Sequence, residues 1–98
     1  MTISYHPAVY NDLDEIMRYY EDVSGARLAD DFYLEFVLFA RLAAENPHAF
    51  SPRKNGLRRV NMERFPYHFW FRLDNGDKLR ILVVRHHARS PSLGLERR

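Results

Sequence analysis

The sequence predicts an α+β fold with an N-terminal strand, a two-helix hairpin and a three-stranded antiparallel meander. Three observations predict it. Apolar residues recur at helical spacing from residue 7 to residue 46, with one interruption at Ser24-Gly25. Three strand-like segments follow Gly56, and Asn75-Gly76 between the last two is a strong signal for a β-hairpin. Because the chain has 98 residues, we expect a single domain, 1–98, with one modest core.

The first half of the chain, residues 1–46, predicts a strand followed by the helix hairpin. Residues 1–6 alternate polar and apolar side chains, as in a half-buried strand. Pro7 suits the first turn of a helix, and Asn46-Pro47 ends the second helix, so the hairpin is expected over residues 7–46. One face of the second helix is predicted to be the core stripe, formed by Ala29, Phe32, Tyr33, Phe36, Phe39, Ala40 and Ala43.

Three leucines lie on the opposite side of the second helix. Leu34, Leu38 and Leu42 are spaced four residues apart, among charged side chains. They are interpreted either as a surface for a partner protein or as the sign of a helix buried around most of its circumference.

The second half of the chain predicts an antiparallel sheet over residues 58–87. Its strands are expected at 58–64, 67–73 and 79–85, and residues 90–98 are expected to form a loosely held tail. If Asn75-Gly76 is a two-residue loop, Trp70 lies opposite Ile81 and His68 lies opposite Val83. This register predicts two faces. The better core face would carry Tyr67, Phe69, Phe71, Leu82 and Val84, and the other face His68, Trp70, Arg72, Arg85 and His87.

Composition excludes several classes of protein and points to charged partners. The chain has no cysteine, so we expect neither disulfides nor a thiolate metal site, and a reducing cytoplasm fits best. No secretory signal or membrane-spanning run is visible. Residues 1–51 hold three arginines and nine acidic residues, a net charge of −6, whereas residues 52–98 hold twelve basic and four acidic residues, a net charge of +8. Such asymmetry indicates a polyanion or an acidic chain as partner, or a solubilising surface.

An Arg/His cluster is the main candidate for chemistry. Arginine holds phosphate oxygens in a bidentate fork, and histidine transfers protons near neutral pH, which is the pairing that a metal-free ribonuclease needs. The alternative interpretation is a basic surface patch with partly packed histidines. No metal site or cofactor is expected, because adjacent histidines on a strand point to opposite faces. Trp70 is a weaker candidate for stacking on a nucleic-acid base. The predicted cluster comprises Arg64, His68, Arg85, His86, His87 and Arg89.

The order of four short motifs resembles the RelE/ParE superfamily of type II toxin–antitoxin toxins over nearly the full chain. They are Asp12-Leu13-Asp14-Glu15-Ile16, Leu42-Ala43-Ala44-Glu45-Asn46-Pro47, Gly56-Leu57-Arg58-Arg59-Val60 leading to Arg64-Phe65-Pro66-Tyr67, and Ile81-Leu82-Val83-Val84-Arg85-His86-His87-Ala88-Arg89-Ser90-Pro91. The resemblance implies a helix hairpin on one face of a mainly antiparallel sheet. It also implies a cytoplasmic protein that forms a hetero-oligomer with a cognate antitoxin.

The superfamily divides by target. RelE-like members cleave mRNA on the ribosome with sheet arginines and commonly a tyrosine near the C-terminus, whereas ParE-like members poison DNA gyrase. Here His68 replaces an arginine of the RelE pattern, Leu93 falls near the tyrosine position, and the closing His-Ala-Arg-Ser-Pro is closer to the ParE-like branch. The resemblance therefore implies a gyrase-directed toxin that inhibits growth and takes part in plasmid stabilisation. The alternatives are a metal-independent endoribonuclease acting on ribosome-bound mRNA, and an inactive member that only binds a partner.

The resemblance and the charge pattern together give the expected site residues. In a ribonuclease, His68 or His87 would handle protons while Arg64, Arg85 and Arg89 hold phosphate. Leu34, Leu38 and Leu42 would bind the antitoxin. The residues expected to bind the target or a nucleic acid are Arg58, Arg59, Arg64, Arg85, His86 and Arg89.

Overall fold

Two α-helices, four strands and two short 3-10 helices make up the chain in the computed structural model, which describes all 98 residues. The sheet has the order β1-β4-β3-β2, with β1 parallel to β4 and the other neighbours antiparallel. The predicted α+β order of strand, helix hairpin and three-stranded meander is confirmed. The elements are β1 (Thr2–Tyr5), α1 (Ala8–Ser24), α2 (Ala26–Glu45), β2 (Arg58–Asn61), β3 (Tyr67–Asp74) and β4 (Lys78–His86).

The helix hairpin turns at one residue, Gly25, whose φ of 89° lies in the region that favours glycine. Five of the seven residues of the predicted core stripe on α2 are buried: Ala29, Phe32, Phe36, Ala40 and Ala43. Phe39 is half-buried, and the prediction is wrong for Tyr33, which is 44% exposed. Tyr33 lies at the margin of the stripe and lines an open groove between α1, α2 and β1.

Aromatic side chains join the hairpin to one face of the sheet. Phe36 of α2 meets Phe69 of β3 edge-on, with ring centroids 5.4 Å apart. Phe32 likewise meets Tyr67 at 5.2 Å, and Tyr20 of α1 meets Phe65 at 5.2 Å. Edge-to-face pairs of this kind stabilise a core beyond the burial of their area. We call the opposite face of the sheet, which no helix covers, the outer face.

The register between β3 and β4 differs from the predicted one in two places. The loop has three residues, 75–77, because Asp77 also takes a left-handed conformation with φ of 59°. Leu82 then forms a bulge, so that Phe71 pairs with Ile81 but Trp70 pairs with Val83. Each change shifts the register by one residue.

The first shift exchanges the two faces of β4 before the bulge, and the second shift restores them beyond it. Leu79 and Ile81, before the bulge, lie in the helix-side core rather than on the outer face as the predicted pairs required. Leu82 was predicted for the core face and instead packs on the outer face with Trp70 and Val83. Beyond the bulge the two shifts add up to two residues, which restores the predicted faces, and His68 pairs with Arg85 on the outer face, where both were predicted.

Residues 90–98 form a docked segment, which we call the strap, so the prediction of a loosely held tail is wrong. Gly94 is buried against Val83, and the half-buried Leu95 packs with the outer-face cluster of Leu57, Trp70, Leu82 and Val83. Polar contacts with arginines of the sheet also hold the strap in place. The polar composition of the segment had indicated mobility. Its backbone carbonyl oxygens, however, accept hydrogen bonds from Arg85 whatever side chains the segment carries.

Candidate functional site

The outer face collects cationic and aromatic side chains because alternate residues of each strand point the same way. Cross-strand pairing sets Arg59 beside Trp70, His68 beside Arg85, and Arg72 beside Arg80. The only carboxylate paired with these side chains is that of Asp74, which binds Arg72 Nε at 2.6 Å. The outer face therefore carries a marked excess of positive charge.

Three of these side chains form a connected hydrogen-bond network with His87. We call this group of Arg59, His68, Arg85 and His87 the His68 network. Arg85 Nε donates to His68 Nε2 at 2.9 Å, and His68 Nδ1 lies 2.9 Å from His87 Nδ1. The two imidazole rings are stacked, with centroids 5.1 Å apart. Since His68 Nε2 accepts from Arg85, His68 Nδ1 carries the proton and donates to His87. Arg59 Nη2 lies 3.4 Å from the same His87 nitrogen, which leaves the proton of neutral His87 on Nε2.

The environment keeps both imidazoles of the network neutral. Burial, followed by the charges of Arg59 and Arg85, lowers the pKa of His68 from 6.5 to about 3. Burial and then Arg59 also lower the pKa of His87. A second proton on either ring would place an N–H group against the N–H donor that the ring now accepts from, which is Arg85 Nε for His68 and His68 Nδ1 for His87. The network is therefore a neutral hydrogen-bonded pair held between guanidinium groups.

Arg85 binds the strap through its backbone. Its Nη1 donates to the carbonyl oxygens of Leu93 at 2.6 Å and Ser90 at 3.0 Å, and its Nη2 donates to that of Pro91 at 2.8 Å. The guanidinium also stacks over Trp70, 5.9 Å from the ring centroid. Arg85 is only 5% exposed, and no carboxylate pairs with it. Burial, followed by Arg59, lowers its pKa.

The structure separates four of the predicted target-binding residues from this network. Arg58 donates to the Phe50 carbonyl oxygen at 2.6 Å and fastens the connection between α2 and β2. Arg64 pairs with Asp31 of α2 at 3.0 Å, so its predicted place beside the histidines is wrong. His86 lies beside Tyr67 on the other side of β4, and Arg89 is exposed in the following turn. Arg59, His68, Arg85 and His87 are the predicted residues that the fold brings together.

The leucines of α2 are open to solvent. Leu34, Leu38 and Leu42 are 65%, 55% and 43% exposed, which contradicts the interpretation of a helix buried around most of its circumference. We call these three residues the leucine stripe. Three exposed leucines one turn apart are the kind of patch that marks an interaction site.

Sequence reasoning missed one half-buried ion pair beside β4. Asp12 of α1 and Arg97 of the strap meet at 2.7 Å and 3.2 Å, two contacts that fix the orientation of both groups. Asp12 also accepts the Val84 N–H, and Arg97 donates to the Leu82 carbonyl oxygen. The pair thus satisfies backbone groups of β4 beyond the end of β1. Because 85 residues separate the two side chains, no local pattern could have indicated their contact.

Several cavities flank α1, and two of them are lined by seven or more residues. One, of about 370 Å³, lies between α1, the end of β4 and the strap, and is lined by Tyr19, Arg89 and the Asp12–Arg97 pair among others. The second, of about 310 Å³, lies between α1, α2 and β1 and is mostly apolar. No group of three histidine or acidic side chains is close enough to hold a metal ion. Neither helix is long and apolar enough to cross a membrane.

Comparison with known proteins identifies the family. The family model described as "ParE toxin of type II toxin-antitoxin system, parDE" matches residues 3–91. Among solved structures, a chain of the chromosomal ParDE TA system from P. aeruginosa superposes with a TM-score of 0.78 at 22% identity, over 88% of this chain and 95% of that chain. No curated protein sequence matches. Because the family model matches most of the chain, the protein belongs to the ParE toxin family of type II toxin–antitoxin systems.

Proposed function

We propose that this chain inhibits bacterial growth in the cytoplasm by poisoning DNA gyrase, and that a cognate antitoxin neutralises it in a hetero-oligomer. Membership of the ParE toxin family supports the toxin role and an antitoxin partner. The gyrase target is the function implied by the ParE-like features of the sequence. In this proposal the toxin acts by binding and catalyses no reaction.

The state of the His68 network is the observation that carries the non-catalytic proposal. A ribonuclease needs a general base, a general acid and free cations that hold phosphate. His68 has both ring nitrogens engaged, is buried, and has its pKa lowered to about 3, so it is a poor proton donor or acceptor for a substrate. Arg85 has its guanidinium occupied by the strap and by His68. The remaining candidate is His87. Because His68 is excluded, the network offers no second group to act as the general acid or base beside it.

The leucine stripe is the proposed docking surface for the antitoxin. Leu34, Leu38 and Leu42 follow one face of a 20-residue helix, and an amphipathic segment of a partner would bury all three together. Residues 52–98, with a net charge of +8, would add electrostatic attraction for an acidic antitoxin.

The proposal is tested by producing the chain without an antitoxin in a susceptible bacterium. We expect growth arrest with gyrase-dependent double-strand breaks and intact mRNA. Purified chain added to gyrase and supercoiled plasmid should likewise accumulate cleaved DNA. A gyrase-free digest of the same plasmid is the control for nuclease contamination.

The same experiment separates the alternative functions. Cleavage of translated mRNA without DNA breaks would contradict gyrase poisoning and support a ribosome-dependent ribonuclease. In that case, replacing His68 and His87 with alanine in a folded protein should abolish cleavage. Normal growth with neither signal would support an inactive member that only binds its partner.

A further inference from the structure

The groove between β1, α1 and α2 is walled mainly by aromatic rings, and we call it the tyrosine groove. Its volume of about 310 Å³ lies at the lower end of the range of small-molecule sites, roughly 300–1,000 Å³. Phe36 is 1% exposed and forms the base of the groove, whereas Tyr10 and Tyr33 are exposed at its opening. Tyr5, which is half-buried at the end of β1, is the fourth aromatic residue of the lining.

The rings of the tyrosine groove are inclined to one another around Tyr5. The ring centroids of Tyr10 and Phe36 lie 6.1 Å and 6.5 Å from that of Tyr5, and their planes are tilted from its plane by 49° and 46°. Because neither pair is stacked, part of each ring face remains uncovered by its neighbour. An aromatic face carries partial negative charge and attracts a cation that lies within about 6 Å of the ring centroid. One cation in the groove can therefore contact several ring faces together.

The hydroxyl groups of the three tyrosines add to this partial negative charge. Burial, followed by the nearby Tyr33 and Tyr10, raises the pKa of Tyr5, while the charge of Arg41 partly opposes the rise. The Tyr5 phenol therefore stays neutral near pH 7. Its oxygen, like those of Tyr10 and Tyr33, is available as a neutral acceptor.

The charge of the lining also favours a cation. Asp14 is the only charged residue that lines the groove. Its carboxylate lies 3.0 Å from Arg18 Nε, but both side chains are more than half exposed, so this ion pair is weak in water. Residues 1–51, which include all three elements around the groove, carry a net charge of −6. An anion would meet no cation in the lining, and a neutral apolar ligand would gain nothing from the Asp14 carboxylate.

The apolar part of the lining indicates the kind of cation. Leu13 and Met17 of α1 also line the groove, and neither side chain accepts a strong hydrogen bond. A primary ammonium group is strongly hydrated and brings three N–H donors that need acceptors. A quaternary ammonium group has no N–H donor, and its methyl groups contact ring faces and apolar side chains directly. Aromatic cages are the usual recognition sites for such groups.

We propose that the tyrosine groove binds a small molecule that carries a quaternary ammonium group. The rings of Tyr5, Tyr10 and Tyr33 would contact its methyl groups, and Asp14 would supply the opposite charge. No residue of the His68 network or of the leucine stripe lines this groove. The proposal goes beyond gyrase poisoning and does not depend on it.

The first experiment titrates choline chloride into the unaltered chain, with sodium chloride added to keep the ionic strength constant. We expect a Kd of about 1 mM or lower, with shifts of the ring signals of Tyr5, Tyr10 and Tyr33 in NMR spectra. The neutral isostere of choline, in which carbon replaces the nitrogen, should bind at least about tenfold more weakly because it lacks the charge.

Variants of two exposed residues test the contacts. Tyr10→Leu removes a ring face and should weaken choline binding about fivefold, whereas Tyr10→Phe keeps the ring face and should bind within about twofold of the unaltered chain. Asp14→Asn removes the opposite charge and should weaken binding about threefold. Tyr19→Leu and Glu21→Gln are the matched controls, since they alter an exposed tyrosine and an exposed carboxylate of α1 that do not line the groove.

Several results would show that the proposal is wrong. Absence of saturable choline binding is one, and equal binding of the neutral isostere is another, because it would make the groove an apolar site. Choline-induced shifts confined to residues outside the groove would place the ligand elsewhere. Unchanged choline binding by Tyr10→Leu, in a variant shown to be folded by circular dichroism, would exclude the ring contacts. If Tyr10→Leu does not fold, the isostere comparison and the ring shifts in the unaltered chain still test the proposal.

Discussion

The leucine stripe and the outer face of the sheet are the two unusual surfaces of this protein, and the chain treats them oppositely. The stripe exposes Leu34, Leu38 and Leu42 to solvent with nothing of the same chain over them. The outer face concentrates arginines and covers them with the strap. An exposed leucine costs little in a helix, whereas a row of like-charged guanidinium groups needs acceptors nearby. The covered surface therefore contributes to stability, and the open surface is available for binding.

The largest expected difference between the two surfaces is in the stability of the isolated chain. Arg85→Ala leaves three carbonyl oxygens and His68 Nε2 without their donor, so it should lower the free energy of unfolding by about 3 kcal/mol. Leu38→Ala removes an exposed side chain and should change it by less than about 0.5 kcal/mol. Urea denaturation followed by circular dichroism measures both. A larger loss for Leu38→Ala would reverse the comparison.

The second prediction concerns binding of the antitoxin, for which the leucine stripe is expected to matter more than it does for stability. Leu34→Lys combined with Leu38→Lys should weaken the antitoxin complex about 100-fold, or about 2.7 kcal/mol, because two apolar contacts are lost and charges enter the interface. Titration calorimetry with the antitoxin measures it. Tyr10→Lys with Val23→Lys makes the same charge change at exposed apolar positions of α1 and should alter the affinity less than threefold. Unfolding of the leucine variant alone would show that the stripe is needed for the fold.

The third prediction concerns the pH dependence of the outer face. The pKa of His68 is about 3 in the folded chain and 6.5 in the unfolded chain, so between these values the unfolded chain binds the extra proton. The contribution of neutral His68 to the free energy of unfolding is therefore fully present above about pH 6.5 and is lost as the pH falls towards 3. About 2 kcal/mol of it is lost between about pH 7.5 and pH 5.

Denaturation curves at several pH values measure this loss. His68→Gln should flatten the profile over the same window. His48→Gln, which alters an exposed imidazole away from the network, should leave the profile unchanged. A profile that is flat in the unaltered chain would show that His68 is hydrated or charged in the folded state.

The smallest expected effect is the difference between breaking a half-buried ion pair and breaking an exposed one. Arg97→Gln breaks the pair with Asp12 and the bond to the Leu82 carbonyl oxygen, and should lower the free energy of unfolding by about 1.5 kcal/mol. Arg18→Gln breaks an exposed pair with Asp14 in one helix and should change it by less than about 0.5 kcal/mol. Thermal melts of both variants measure the difference. Equal effects would show that the strap does not hold Arg97 in solution.

The helix hairpin and the leucine stripe were predictable because their signals are local. Apolar spacing set the limits of α1 and α2 to within a residue or two, and the same spacing placed the leucine stripe opposite the core. His68 and Arg85 were also predicted to lie on the same face of the sheet, but the predicted register was wrong in two places. The loop gained Asp77 and β4 gained the Leu82 bulge, and together they move the register by two residues, which restores the predicted faces beyond the bulge. Strand pairing depends on such single residues, which periodicity does not resolve.

The sequence by itself determined the α+β order, the charge asymmetry and the position of the three leucines opposite the core stripe, since helix periodicity and composition are properties of neighbouring residues. The tertiary structure decided which cations meet. It paired Arg64 with Asp31 of α2, brought Arg59 to the histidines and docked the strap on Arg85. These contacts join segments far apart in the chain, and several of them are made to backbone oxygens, which every residue carries alike and no sequence pattern distinguishes.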